Sequence, residues 1–387
     1  MTTARFIASL LCLANFVAAA QSLPMKEPRL TEDQARAQLA SFAATWHDRA
    51  EWEARAVAIR KGILAGANLD PLSARCPLKP IRWGRQDRRG YSVENVAFES
   101  VPGFFVTGNL YWPANATPPL PAMLCAHGHG KVAPRVSDAV QLRCAALARM
   151  GVVVFAYDMA GYGDSTQTIH KDPNALTFQL WDSVRSLDFL TSLPEVDTHR
   201  LGCTGESGGG TQTFLLAAVD DRLTLSVPVV QVSAHFFGGC VCESGLPIHH
   251  SATHDTDNAE IAALFAPRPQ CVISDGKDWT KNVPKVEFPY ILSVYKVMGA
   301  ASQVENAHFA DEGHDYGPSK RQAMYRFVAE HWNLNAASAD ETDAIVDTNS
   351  LRVFTDSHPR PAYALQGGEA VAAAFAQARK LAGHDPK

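Results

Sequence analysis

Ser207 stands in the run Gly205-Glu206-Ser207-Gly208-Gly209-Gly210. The G-x-S-x-G spacing lies between the apolar run "RLGCTG" and the helix-forming run "GGTQTFLLAAV", the context of a serine carried on a sharp strand-to-helix turn. A serine so placed is held in a strained backbone conformation with its hydroxyl projecting from the sheet edge, so its neighbours must be small. The turn also leaves the amide of Gly208, at the head of the following helix, facing any oxygen that becomes negative during attack. A phosphate-cradling loop would need G-x-x-x-x-G-K-[ST], or G-x-G-x-x-G after a first strand, and neither is present.

A serine hydroxyl attacks a carbonyl only when a base removes its proton and a third group orients that base. On this kind of turn the partners follow along the chain as acid, then histidine. After the apolar run "QCVIS" come Asp275 and Asp278; Asp278, further into the loop, is the preferred acid, and Asp275 beside Gly276 reads as a turn former. The stretch "ENAHFADEGHDYG" offers His308 inside a strand pattern and His314 beyond it, which makes His314 the expected base. A second oxyanion donor is expected from the amide of His129 in "AHGHG". Asp158 in "YDMAGYGDS" reads as a loop-ordering residue.

Glu206, His249 and Trp279 are the expected pocket residues, with His250 and His254 near His249 in the same insertion. These imidazoles read as pocket-lining or solvated side chains, and no Cys or His spacing matches a zinc site. No metal and no cofactor are expected.

The scaffold for these residues is legible as alternating strand and helix. Thr31 and Gln34 form a capping box before a helical stripe of Ala35, Leu39, Phe42, Ala43 and Trp46, and helices are expected to run to the Asp70-Pro71 break. "YSVENVAFES" and "GFFVTGNLYWP" read as a hairpin turning at Val101-Pro102-Gly103. From "PAMLCAHG" to "KRQAMYRFVAEHW", strands and helices alternate as in a parallel sheet covered on both faces. The expected organisation is a signal peptide over 1–20, a helical segment over 21–90, a catalytic domain over 91–334 and a polar tail with a short helix over 335–387. The leader rests on "FIASLLCLANFVAAA" ending in Ala18-Ala19-Ala20, too short for a spanning helix, and predicts a secreted or periplasmic protein.

The 387 residues are 46% hydrophobic and 19% charged with a formal net charge of −5, which fits a globular protein and gives no basic surface for nucleic acid. Export permits disulfides; Cys125, Cys203 and Cys271 lie in strand-like runs as core residues, while Cys240 and Cys242 are free to bridge, with Cys76 an available partner.

The stretches "AHGHG", "YDMAGYGDS", "TGESGGGTQTFLLAAVDDR", "GCVCESG", "EIAALFAPRP", "DGKDWTKN" and "VENAHFADEGHDYG" together resemble the α/β-hydrolase superfamily, and more narrowly the secreted bacterial hydrolases related to acetylxylan esterases. The resemblance runs from the opening helices to about Trp332. It implies an α/β-hydrolase fold, Ser207 as nucleophile, Asp278 as acid and His314 as base. It also implies a short carboxylic ester, on a small molecule or an oligosaccharide, as substrate. The histidine-rich "GLPIHHSATHD" and the tail after Trp332 depart from the relatives. Two rival readings stand beside the esterase: a serine peptidase of the same fold, kept open by Glu206 and Glu243, and a carbohydrate-binding relative without catalysis.

Overall fold

The computed structural model describes residues 29–130 and 133–383. The leader expected over 1–20 lies outside the described residues. Helices α1 (Glu32–Ala43) and α2 (Arg49–Gly66) open the described chain, α1 behind the expected capping box: Thr31 Oγ1 accepts from the Gln34 amide and Gln34 Oε1 from the Thr31 amide. The sheet begins earlier than expected. Strand β1 (Ile81–Arg88) pairs antiparallel with β2 (Tyr91–Val101), so the 21–90 segment is helical only in its first part. β1 is an edge strand with alternating half-buried and exposed residues and many charges, a pattern that hides it from a search for apolar runs.

β3 (Phe104–Pro113) completes the hairpin and is followed by β4 (Leu120–Ala126), α3 (Asp138–Arg149), β5 (Val153–Tyr157), α4 (Ala175–Thr191), β6 (Val196–Glu206) and α5 (Gly208–Val219). Then come β7 (Leu225–Val229), an insertion with the short helices α6 (Val241–Ser244) and α7 (Asn258–Ala263), β8 (Gln270–Asp275), α8 (Glu287–Val297), β9 (Val304–Phe309), α9 (Pro318–Trp332) and α10 (Gly368–Gly383). The nine strands form one sheet in the order β1-β2-β3-β5-β4-β6-β7-β8-β9, antiparallel from β1 through β5 and parallel from β5 onward. β5 lies on one side of β4 and β6 on the other, so the chain reverses its winding at β4; ligands of open α/β sheets bind at the carboxyl ends of strands at such a point.

Strand residues alternate between two apolar layers. Ala122, Leu124, Phe155 and Tyr157 face the layer of α4, α5 and α8, while Met123, Cys125, Val154 and Ala156 face that of α3 and α9. Helices on both faces explain why β4 and β5 are apolar throughout. The tail is more integrated than its polar composition suggests. Phe375 of α10 packs on Phe104 and Phe178, Val371 is buried beside it on the same helix, and Val353 donates its amide to Asp164 at 2.9 Å.

Candidate active site

β6 pairs with both β4 and β7, which sets Gly205 opposite Ala126 and Glu206 opposite Val229. Ser207 follows at φ 56° and ψ −123°, between β6 and α5, with its amide donating to the Val229 carbonyl at 3.1 Å. A non-glycine residue at this positive φ is strained, and here the surrounding ladder holds it. The glycines answer a packing requirement. A Cβ on Gly205 would lie 2.6 Å from the Gly209 carbonyl oxygen and 2.7 Å from that of Ala126, so α5 can rise beside β4 only if this position is bare.

The loop after β4 closes over the same turn. A Cβ on Gly128 would stand 3.3 Å from that of Ser207, and one on Gly208 would stand 2.7 Å from His129 Nε2. The two backbone segments expected to stabilise an oxyanion therefore meet at the serine. His127 secures the loop from below: it is buried, its Nδ1 pairs with the Gly128 carbonyl at 2.8 Å, and its Nε2 accepts the Met159 amide at 3.1 Å. Burial lowers its pKa, so the ring stays neutral with the proton on Nδ1.

Asp278 and His314 come from the loops after β8 and β9, neighbouring parallel strands. His314 Nδ1 is 2.6 Å from Asp278 Oδ2. Asp278 Oδ1 accepts from the Thr280 amide at 2.5 Å and the Thr280 hydroxyl at 2.6 Å. Burial opposes ionisation of this carboxyl, but the hydrogen bonds from His314 and Thr280 prevail and hold it below the usual carboxylate range. Trp279 packs on the imidazole with ring centroids 4.3 Å apart, and Phe236 meets Trp279 at 4.6 Å. Among the described residues the Ser207 hydroxyl makes no hydrogen bond; such contacts are often loose in free enzymes and tighten around substrate.

Asp275 is occupied elsewhere. It is buried, 3.3 Å from the buried Lys320 Nζ, and burial followed by the neighbouring Asp278 charge raises its pKa. Lys320 also donates to the Gly313 carbonyl at 2.6 Å and to Asp315 at 2.8 Å, so it fixes the loop that carries His314. His308 sits on β9 and pairs with Ser274 at 2.9 Å. Asp158 is buried, 2.9 Å from Arg135, and orders the loop after β5 by accepting from the Asp164 amide at 3.0 Å.

Two expected pocket residues are placed differently. His249 is buried inside the insertion, stacked on Phe237 at 4.2 Å with Nε2 2.7 Å from Asn258 Oδ1, so it does not line an open pocket. His250 is exposed beside Asp255 and His254 bonds the Ile248 carbonyl, so the three imidazoles do not converge. Glu206 lies next to the serine, but its carboxylate is 2.8 Å from the fully buried Arg143, which also donates to the Ala126 carbonyl. Its charge is therefore spent on the floor of the site. Arg143 has no signature in the sequence, because its place in the amphipathic "QLRCAALARM" resembles that of a surface arginine. Cys240 is bonded to Cys242, and Cys76 is free, so Cys76 is not their partner.

The sequence profile of the acetyl xylan esterase family (AXE1) matches residues 68–238. A solved structure, the methylesterase BT1017, is 38% identical, with a TM-score of 0.85 over 93% of this chain and 82% of its own. The Bacillus subtilis protein YtaP, named as a hydrolase, is 29% identical over 52% of this chain and 74% of its own. A glucuronoyl esterase from Solibacter usitatus shares the fold at 16% identity, TM-score 0.55, over 74% of this chain and 94% of its own.

Proposed function

We propose that this chain, which belongs to the α/β-hydrolase superfamily and within it to the esterases related to acetyl xylan esterase, cleaves short esters on carbohydrates through Ser207, His314 and Asp278. The observation that carries the reading is the 2.6 Å hydrogen bond from His314 Nδ1 to Asp278, on loops that leave the carboxyl ends of β8 and β9, the same end of the parallel sheet at which the strained Ser207 turn follows β6. With its Nδ1 proton committed to the carboxylate, the imidazole presents Nε2 as a base. Nε2 takes the Ser207 proton as the oxygen attacks the ester carbonyl, and the amides of Gly208 and His129 receive the oxyanion. The imidazolium then protonates the departing alcohol, and water enters by the same base to free the acid. Every step is a proton transfer or an acyl transfer.

The favoured substrate is a methyl ester of a sugar acid, because the likeness to the methylesterase extends over nearly the whole chain at 38% identity. The second reading, an acetylated sugar, rests on the family profile over residues 68–238. The commitment of Glu206 to Arg143 counts against a peptidase that would use that carboxylate to hold a substrate amine. We also propose export, from the leader pattern ending at Ala20; no helix among the described residues is long and apolar enough to cross a membrane. The deciding experiment follows methanol released from a methyl-esterified oligouronide and acetate released from acetylated xylo-oligosaccharides, with an aminoacyl anilide alongside. Faster methanol release is expected; faster acetate release moves the assignment to the acetyl ester, and turnover of the anilide alone overturns the esterase reading.

A further inference from the structure

Three loops at the carboxyl ends of the strands bring together four side chains that the esterase chemistry does not use. His129 comes from the loop after β4, His170 from the connection between β5 and α4, and Cys240 and Cys242 from the start of α6 in the insertion after β7. One ligand atom from each lies within 4.8 Å of all the others. His129 Nε2 is 3.2 Å from Cys242 Sγ and 3.5 Å from Cys240 Sγ, and His170 Nε2 is 3.9 Å from Cys242 Sγ. Around tetrahedral zinc, bonds of about 2.3 Å to sulfur and about 2.0 Å to nitrogen place ligand atoms about 3.3–3.8 Å apart. The nitrogen–sulfur separations are already near that spacing.

We propose that His129, His170, Cys240 and Cys242 form a Cys2His2 site for a zinc ion that ties these three loops over the head of α5. In the structure the two sulfurs are joined as a disulfide; the zinc-binding form is the dithiol in which the cysteines are synthesised, loaded with metal before oxidation, so that no disulfide has to be reduced. Each thiol loses its proton to solvent and donates a sulfur lone pair, each imidazole donates a nitrogen lone pair, and no electron is transferred. The surroundings suit a closed site. The rings of His129 and His170 lie 4.8 Å apart and both pack on Tyr162, at 5.9 and 4.5 Å. Glu243 accepts the Gly239 amide at 2.7 Å and so fixes the turn that presents the cysteines.

Four protein ligands leave no open coordination position, so the ion positions residues and takes no part in the chemistry. What it positions is specific. The His129 ring lies against Gly208, and the His129 amide is the second oxyanion donor of the proposed mechanism. This consequence rests on the esterase reading, whereas metal binding rests on the four side chains alone. The ligands escape a search by spacing because two single histidines and a Cys-x-Cys from separate loops form no continuous motif.

The test uses the full chain, produced with zinc in the medium and kept reduced until buffer exchange. Elemental analysis should find about one zinc per chain, lost in Cys240→Ser and in His170→Ala. Replacement by cobalt should give the visible spectrum of tetrahedral cobalt thiolate. After unfolding with chelator and without reductant, Cys240 and Cys242 should titrate as thiols together with every other cysteine of the chain. Chelation should lower kcat about tenfold or more with KM little changed, and zinc should restore it. Zinc-free protein whose Cys240–Cys242 pair titrates as a disulfide, or zinc retained by both variants, overturns the site. Bound zinc whose removal leaves kcat unchanged overturns its role at the oxyanion loop. An esterase assay without turnover, on protein that holds zinc, overturns the functional reading and leaves the metal site standing.

Discussion

Asp278 and His314 are joined by a 2.6 Å hydrogen bond, while Asp275, three positions before Asp278 at the end of β8, is turned to Lys320 at 3.3 Å. Two acids that look interchangeable in the sequence thus have different partners. Asp278→Asn should lower kcat by about 10⁴-fold, since an amide favours the wrong imidazole tautomer. Asp275→Asn should lower the melting temperature, by leaving the buried Lys320 without that charge, and should cost far less in kcat. Ester hydrolysis kinetics of both variants, with thermal melts, check the ranking. The reverse order would place the acid at Asp275.

Glu206 supplies the second prediction. Its carboxylate is the only described partner charge within 4.0 Å of the buried Arg143, so Glu206→Gln should destabilise the fold by about 3 kcal/mol. KM for a neutral ester should change little. Urea denaturation with Michaelis kinetics on the folded variant measures both, and unchanged stability with a raised KM for amine-bearing substrates would return Glu206 to substrate binding.

The fold was legible where pattern and environment agree. The hairpin β2–β3 and the run from β4 to α9 carry apolar periodicity that burial on both sheet faces demands, and Ser207, Asp278 and His314 are spaced as the strand ends require. β1 escaped because an edge strand needs no apolar face, and the ordered tail because scattered residues such as Leu351 and Val353 bury themselves one at a time. His249 misled for a related reason: an imidazole in a loop reads as solvated or functional, whereas stacking on Phe237 and a bond to Asn258 satisfy it inside the insertion. Contacts between elements distant in the chain, such as that of Arg143 on α3 with Glu206 at the end of β6, leave no trace in local spacing.

Asp182 on α4 gives a prediction in pH. Burial pushes its carboxyl up to about 8 from 3.8, against the pull of Ser100 and Arg185. Between those values the folded chain keeps a proton that the unfolded chain has released, so this group makes stability fall as pH rises from about 4 to about 8. Asp182→Asn, neutral at every pH, should match the wild type near pH 4 and exceed it by a margin that grows to a plateau above about pH 8. Denaturant midpoints across that range test it, and a margin independent of pH would contradict the assignment.

The nucleophile is the centre of the account, and covalent labelling tests it most directly. The full chain is treated with a fluorophosphonate, which phosphonylates only an activated serine, and the modified peptide is sequenced by mass spectrometry. The account predicts one adduct per chain, on Ser207, appearing in step with the loss of ester hydrolysis and absent from Ser207→Ala. Full activity in a completely labelled Ser207 protein, or inactivation with the adduct on another residue, would contradict it.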